Sequence, residues 1–526
     1  MISDRLLAVL CKLHYAANTI APPNTLPPEI LLTVFSYLCP GAHRDWDAEP
    51  MPPYASLLAV TRVCHRWREI AVSATELWTR IILTGPQSID RGIFVAQLCV
   101  RRSGVQPLDF YCATRFSKLV KAEELIPDRL RLRGVVYGGA DRFSKDELSK
   151  FLLPATYLER LEIRANESFS LPVLASDTAP HLRELTISKC TLWPNNRFGS
   201  LISLVLLSQK DIDANIYSLL DTLRCSPHLE EFIVERENRT RTQPQEPPEQ
   251  YTLPIPLHSL KRLHVCRLLA GTTQRLLRAL DLVPNGIFMR FTNVSADLGA
   301  ILPEAITPEL SPRAVAKLEV VYPPMCGVIL HAANGVAHTR LAYRHHPTRG
   351  EFLRWIMGKP FEGYSLKELW LHIDRKHNYE VPPPHVLRDL ETLVIETDPT
   401  DEFDSTFFLM LSPNEDSVPS PLLSTLQLRN VSDVKILGDI LKTRSDAGFR
   451  LKMLRVRWTY GLEEKMAPIA QFVEKIELHR VTDTISRGLE LPKECMTKSR
   501  GWEPWVRNFT GEMEYELGRW GVVELW

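Results

Sequence analysis

The chain has 526 residues, too many for one compact core at ~100–200 residues per domain unless it is a repeat array that grows by addition. Hydrophobic residues make up 44% and charged residues 24%, the balance of an ordinary globular protein. Lys+Arg and Asp+Glu number 63 each, and this zero net charge argues against a general attraction to nucleic acid or anionic membrane.

The ten cysteines, from Cys11 to Cys495, are scattered and never form CxxC. That spacing suits reduced thiols in a cytosolic or nuclear protein better than a disulfide framework or a zinc site. Asn166, Asn238, Asn293, Asn430 and Asn508 begin Asn-x-Ser/Thr sequences, which carry little meaning without a secretory route. Residues 1–25 form an N-terminal extension whose "LLAVLCKL" is broken by Lys12 and preceded by Asp4, the pattern of an amphipathic helix rather than a signal peptide. No apolar run approaches the ~18 residues that span a bilayer.

Residues 26–38 read "LPPEILLTVFSYL". Ile30, Leu31, Val34, Phe35 and Leu38 recur at helical spacing on one face, and Pro27 and Pro28 suit a first turn. "CPGAHRDWDAEPMPPYAS" (39–56) reads as a loop. In the "SLLAVTRVCHRWREIAVSATELWTRIIL" that runs to Leu83, Val60, Val63, Cys64, Trp67 and Ala71 share a face, opposite Arg62, Arg66 and Glu69. Two or three short helices this apolar cannot bury every side chain among themselves, so the surplus needs a neighbour or a partner.

These residues resemble the F-box: the Leu-Pro-x-Glu-Ile start, the aliphatic and aromatic helix, the "VCHRW" segment and the trailing "LW". The resemblance covers residues 26–83 and departs from the family in the long 39–56 connection. It implies a small all-α module that binds an SKP-type linker and, through it, a cullin-RING ubiquitin ligase. Carried over position by position, the implied docking residues are Leu26, Pro27, Ile30, Leu31, Val34, Phe35, Leu57, Val60, Val63, Cys64 and Trp67. For Phe35 and Trp67 an internal core position is an equal expectation.

From about residue 100 to 482 a spacing L-x-x-L-x-L returns. Strong copies start at Leu158, Leu182, Leu201, Leu229, Leu260, Leu366, Leu390, Leu423, Leu451 and Val473; weaker ones start at Val105, Pro127, Gly286, Val315 and His338. Fifteen units between 105 and 473 give a mean spacing of about 26 residues, within the ~20–29 of leucine-rich repeats. The ninth position is Asn166, Cys190, Asp374 or Asp398 in four units. Each unit is expected to place a short strand in a parallel sheet and to return by a helix or loop, as in 213–228 and 272–284. Residues 236–256 and 399–421 read as insertions, and the Trp-rich 483–526 as a cap or tail with Trp502, Trp505, Trp520 and Trp526. The whole resembles the F-box proteins with leucine-rich repeats found in basidiomycete fungi, and the expected fold is an α/β repeat: a helical F-box module on an irregular solenoid.

No GxSxG, HExxH, Walker-type loop or dinucleotide fingerprint occurs. Asp211, Asp213 and Asn215 begin like a calcium loop, but Ile216 replaces the required glycine and Thr222 the bidentate Glu. His345 and His346 lack a ligand at metal spacing. The expectation is therefore no catalytic residue, no metal and no cofactor. What remains is recognition: between the leucines, Trp370, His372, Arg455, Arg457, Glu474 and Glu477 are the candidates for holding a protein substrate. The resemblance implies a substrate adaptor of a ubiquitin ligase, in cytoplasm or nucleus, with no nucleic-acid or membrane partner. A non-degradative interaction scaffold is the alternative, and an enzyme with decorative repeats is a more distant one.

Overall fold

The computed structural model describes residues 2–38, 54–83, 89–112, 126, 129–140, 156–170, 179–192, 197–210, 212–237, 254–281, 287–292, 317–321, 327–331, 337–342, 367–373, 388–397, 411–413, 418–429, 434–458 and 466–480. It divides into two units, Met1–Leu229 and Glu230–Trp526.

The first unit opens with helices α1 (Ile2–Ile20), α2 (Pro28–Leu38), α3 (Tyr54–Val63) and α4 (His65–Ser73). α2 starts where the sequence implies, with Pro28 in its first turn and the Pro27 carbonyl accepting from the N–H groups of Ile30 and Leu31. The apolar segment after residue 54 is two helices rather than one. The break is Cys64, whose extended backbone lets its sulfur accept the Trp67 N–H at 3.5 Å and cap α4. Behind α4, Trp78 is fully buried, donates its indole N–H to the Ala71 carbonyl at 2.7 Å, and lies under the Arg102 guanidinium.

Strand β1 (Arg80–Leu83) and helix α5 (Ile89–Arg102) follow. The sheet continues through β2 (Leu108–Cys112), β3 (Leu132–Ala140), β4 (Arg160–Ser170), β5 (Glu184–Leu192) and β6 (Ser203–Gln209), each parallel to the one before. Helix α6 (Ile216–Arg224) then returns over the expected 213–228 stretch.

The second unit carries β7 (Glu231–Arg236), a short β8 (Ile255–Pro256), β9 (Arg262–Cys266), helix α7 (Ala270–Ala279), β10 (Leu280–Asp281) paired with β8, and β11 (Ile287–Thr292). It continues with β12 (Lys317–Val321), β13 (Gly327–His331), β14 (Ala337–Ala342), β15 (Glu368–Ile373), β16 (Thr392–Thr397), β17 (Thr425–Arg429), helix α8 (Val434–Asp446), β18 (Leu451–Trp458) and β19 (Val473–Arg480). Here the all-parallel expectation needs correcting. β13 runs antiparallel to both β12 and β14, so the spatial order is β9, β11, β14, β13, β12, β15. Two short connections after β12 and β13 make a meander, which needs no long crossover.

The leucine spacing corresponds to one recurring geometry. First, fourth and sixth residues are buried in successive units: Leu158, Leu161 and Ile163; Leu182, Leu185 and Ile187; Leu201, Leu204 and Leu206; Leu390, Leu393 and Ile395. Between neighbours, the carbonyl of the second residue accepts two N–H groups, from the second and third residues of the next unit. Glu159 accepts from Arg183 and Glu184, Arg183 from Ile202 and Ser203, and Glu230 from Lys261 and Arg262. In the second unit, Lys367 accepts from Glu391 and Thr392, Glu391 from Ser424 and Thr425, and Ser424 from Lys452 and Met453. This satisfies the polar groups where each strand begins and locks its register to the last. The eighth residues Lys189, Ser208 and Arg267 share a left-handed backbone, φ 57°, 50° and 62°, so a kink recurs at or near the end of these three strands.

Asn166 and Cys190 fall inside β4 and β5, whereas Asp374 and Asp398 lie outside the described residues. Also outside them are residues 39–53, Asp211, His345, His346, most of both insertions and the tryptophans of the tail.

Candidate functional site

Two surfaces carry the sequence candidates. The first is the helical module, where α2 and α4 form a core with α3. Leu31, Phe35, Leu57, Val60 and Cys64 are all buried, and the Phe35 and Trp67 rings meet with centroids 5.1 Å apart. Helical spacing in the sequence puts Ile30, Leu31, Val34 and Phe35 on one face. The structure separates them into two ridges one residue apart. Leu31 and Phe35 point into the module, while Ile30 and Val34 are 49% and 42% exposed. Leu26 and Leu38 lie before and after this ridge in the chain and are exposed, as are Pro27 at its start and Val63 at the end of α3.

Of the expected docking residues, Leu31, Phe35, Leu57, Val60 and Cys64 are buried in the module, beneath its exposed ridge rather than on it. Trp67 is half-buried against Phe35, and its indole nitrogen has no hydrogen-bond partner among the described residues. Tyr37, 80% exposed in the same helix, was missed. Its position three residues after Val34 is the signal in the sequence that could have found it.

Short polar contacts fix the module's edges. Asn24, buried ahead of α2, donates to the Asn18 carbonyl at 2.6 Å and accepts the Cys64 S–H across 3.8 Å. Arg66 donates to the Leu26 carbonyl at 2.9 Å, pinning the start of the outer ridge to α4. Arg68 closes the α3–α4 corner by donating to the Thr61 carbonyl at 2.8 Å.

The second surface is the strand face carrying the residues between the leucines. Register places Glu319, Trp370, Val394, Gln427, Arg455 and Glu477 in one row across β12, β15, β16, β17, β18 and β19. Thus Trp370, Arg455 and Glu477 share a register row, with Val394 and Gln427 between Trp370 and Arg455, and Arg457 pairs with His479 two residues along from Arg455 and Glu477. His372 lies beside Glu396 two residues after Trp370. Glu474 is exposed but has the strand parity of Ile476 and Leu478, opposite to that of Glu477. Arg455 donates to the Glu477 carboxylate at 2.7 Å, and Lys475 donates to the same carboxylate at 2.6 Å. These two partners, Lys475 first, hold the Glu477 carboxyl down to about 2.

Ion pairs of the same kind cross the strands elsewhere: Arg160 to Glu184 at 2.6 Å, Arg262 to Glu231 at 3.0 Å and Arg267 to Glu235 at 2.7 Å. Among the described residues, these charged pairs join neighbouring strands. Among the described residues no cluster of three His, Cys, Asp or Glu side chains is arranged to hold a metal ion, and no helix is long and apolar enough to cross a membrane.

Comparison with known proteins adds one finding. Residues 23–84 match the family model described as F-box-like, the same stretch that forms the module and its outer ridge. At the level of that family, such a domain binds an SKP-type linker and joins a cullin-RING ligase as a non-catalytic subunit. No curated protein matches the chain.

Proposed function

We propose that this chain is the substrate receptor of an SKP–cullin–F-box ubiquitin ligase, docking the linker through the outer ridge of its F-box-like domain. One observation carries the reading: the F-box-like match coincides with a packed helical core that leaves Leu26, Ile30, Val34, Leu38 and Val63 outside. A central apolar patch on rigid helices is how stable interfaces are built. The chain itself performs no chemistry in this reading. Holding a substrate beside charged ubiquitin makes transfer nearly intramolecular, with the gain set by effective concentration.

The strands after residue 100 act as leucine-rich repeats that bind the substrate protein. The recurring seam, in which one carbonyl accepts two N–H groups of the next unit, and the left-handed eighth residue support this. The row through Trp370, Arg455 and Glu477, with His372 and Arg457 beside it, is the proposed contact surface. Residence in the cytosol or nucleus belongs to the same reading, supported by cysteines that are scattered along the sequence and never form CxxC.

The test is co-purification of the full chain with an SKP-type linker and cullin. Ile30→Asp combined with Val34→Asp should abolish capture while leaving the helical circular dichroism intact. Leu31→Asp is unsuitable, since it buries a charge and unfolds the module. A well-folded native chain that captures no linker would refute the proposal. Trp370→Ala with Arg455→Ala should retain the linker but lose the proximity-labelled proteins that accumulate when cullin is inhibited.

A further inference from the structure

The strand face that carries the residues between the leucines is not equally open along its length. In the second unit, one row of register partners runs from Ile233 on β7 to Glu477 on β19, by way of Trp370. Ile233, His264, Arg290 and Val394 belong to this row and are at most 5% exposed, although strand alternation turns them away from the leucines. Past Val394 the face opens. Gln427 is half-buried, and the side chains of Arg455 and Lys475 are 44% and 61% exposed.

Charge changes at the same place. Register brings Arg429, Arg455, Arg457 and Lys475 onto this face of β17, β18 and β19, against one carboxylate, Glu477. The same face of β15 and β16 carries Glu368 and Glu396 and no Lys or Arg. The part of the face that a partner can reach is therefore the part that is basic.

Glu477 shows what these cations take. Its carboxylate accepts from both Arg455 and Lys475, so one anion already sits between two of the four. A single carboxylate leaves a surplus of positive charge, and like charges this close repel until an anion joins them. Their spacing suits an extended chain. Arg429 and Arg457 are register partners, ~4.8 Å apart across the strands, and Arg455 and Arg457 stand ~6.7 Å apart along β18. Alternate residues of an extended segment repeat at the same ~6.7 Å.

Taking the strand face as the substrate surface, we propose that its open end on β17–β19 binds an extended acidic segment of the partner protein. Carboxylates on alternate residues of that segment are set against Arg455 and Arg457, with Arg429 beside them.

Fluorescence anisotropy of the full chain with a labelled peptide of alternating Glu and Ser, about ten residues long, tests this. The peptide should bind, its Gln-Ser and Lys-Ser counterparts should not, and raising salt from about 50 to 300 mM should weaken binding about tenfold. Arg455→Gln with Arg457→Gln should weaken it at least ~10-fold. Lys452→Gln should leave it unchanged, because Lys452 is exposed but has the strand parity of the buried Leu454. Glu477→Gln removes the face's own anion and should strengthen binding about threefold, a gain that unfolding cannot produce. No binding, equal binding of a counterpart peptide, no gain on Glu477→Gln, or equal weakening by Lys452→Gln would each overturn the proposal. So would binding of a Gln-phosphoserine peptide in place of the Glu-Ser one, which would assign the face to phosphate. Capture of the SKP-type linker is measured in parallel. Loss of peptide binding with the linker retained sinks only this inference, whereas peptide binding without linker sinks the ligase reading and leaves the acidic site standing.

Discussion

Leu31 and Ile30 are neighbours in the chain with opposite surroundings, 1% and 49% exposed. Truncating each to alanine should separate core from docking ridge. Leu31→Ala empties a filled site under α4 and should cost ~2–5 kcal/mol. Ile30→Ala removes methyl groups already half in water and should cost at most ~1 kcal/mol. The two units need not unfold together, so a global melting point is the wrong measurement. Hydrogen exchange read on peptides from α3 and α4 reports the module alone. At 1.4 kcal/mol per decade, Leu31→Ala should speed their slowest exchange by roughly 30- to 3,000-fold, and Ile30→Ala by less than about tenfold. Linker affinity should show the reverse order once Leu31→Ala is compared at a temperature where it remains folded. Equal acceleration in the two variants, or a larger one in Ile30→Ala, would refute the two-ridge arrangement.

Trp67→Phe should cost little, because the indole N–H makes no hydrogen bond among the described residues, whereas Phe35→Ala beneath it should cost ~3–5 kcal/mol; chemical denaturation followed by Trp78 fluorescence distinguishes them. Arg444 is buried in α8 and donates to the carbonyls of Leu411, Pro419 and Ser420, so Arg444→Met should cost at least ~3 kcal/mol, read as faster exchange in 434–446. The carboxyl of Glu477 is depressed to about 2, so its pairing contributes fully above the usual carboxylate range and is lost as pH falls through about 2; a carboxylate NMR titration should find its midpoint there, and one near 4 would refute the pairing. Ser208→Gly relieves a left-handed backbone and should be neutral to ~1 kcal/mol stabilising, measured by denaturation, despite the greater freedom glycine gives the unfolded chain.

The leucine spacing could be read because every strand has the same task. Its first, fourth and sixth residues turn inward, so the pattern depends little on what surrounds each strand. All ten strong copies coincide with strands, β4 to β7, β9 and β15 to β19. The module was harder. Ile30 and Leu31 are alike in hydrophobicity and adjacent in angle, and only the position of α4 decides which one is covered. The Cys64 break was equally hidden, since a cysteine capping a helix through sulfur has no sequence signature like that of Ser or Asp. β13 carries no L-x-x-L-x-L, and its antiparallel direction follows from two short connections rather than from residue types. β1 and α5 lie between the two patterns and match neither. On the strand face, spacing located Trp370, Arg455 and Glu477 but could not show that Arg455 and Glu477 hold each other.

The reversed order of β12, β13 and β14 bears on how the chain comes off the ribosome. In the first unit each strand of the sheet docks on one already synthesised, so the sheet grows with the nascent chain. β11 adds to β9 in the same way, but its far edge stays open until β14 emerges, from Ile287 to Ala337 in sequence. β12 meanwhile reaches the growing sheet only by way of β13 and β14, whose closure carries the loop entropy of the whole excursion. Elongation across this stretch therefore exposes an unfinished strand edge, the interval in which a chaperone or a second nascent chain has its best opportunity to bind.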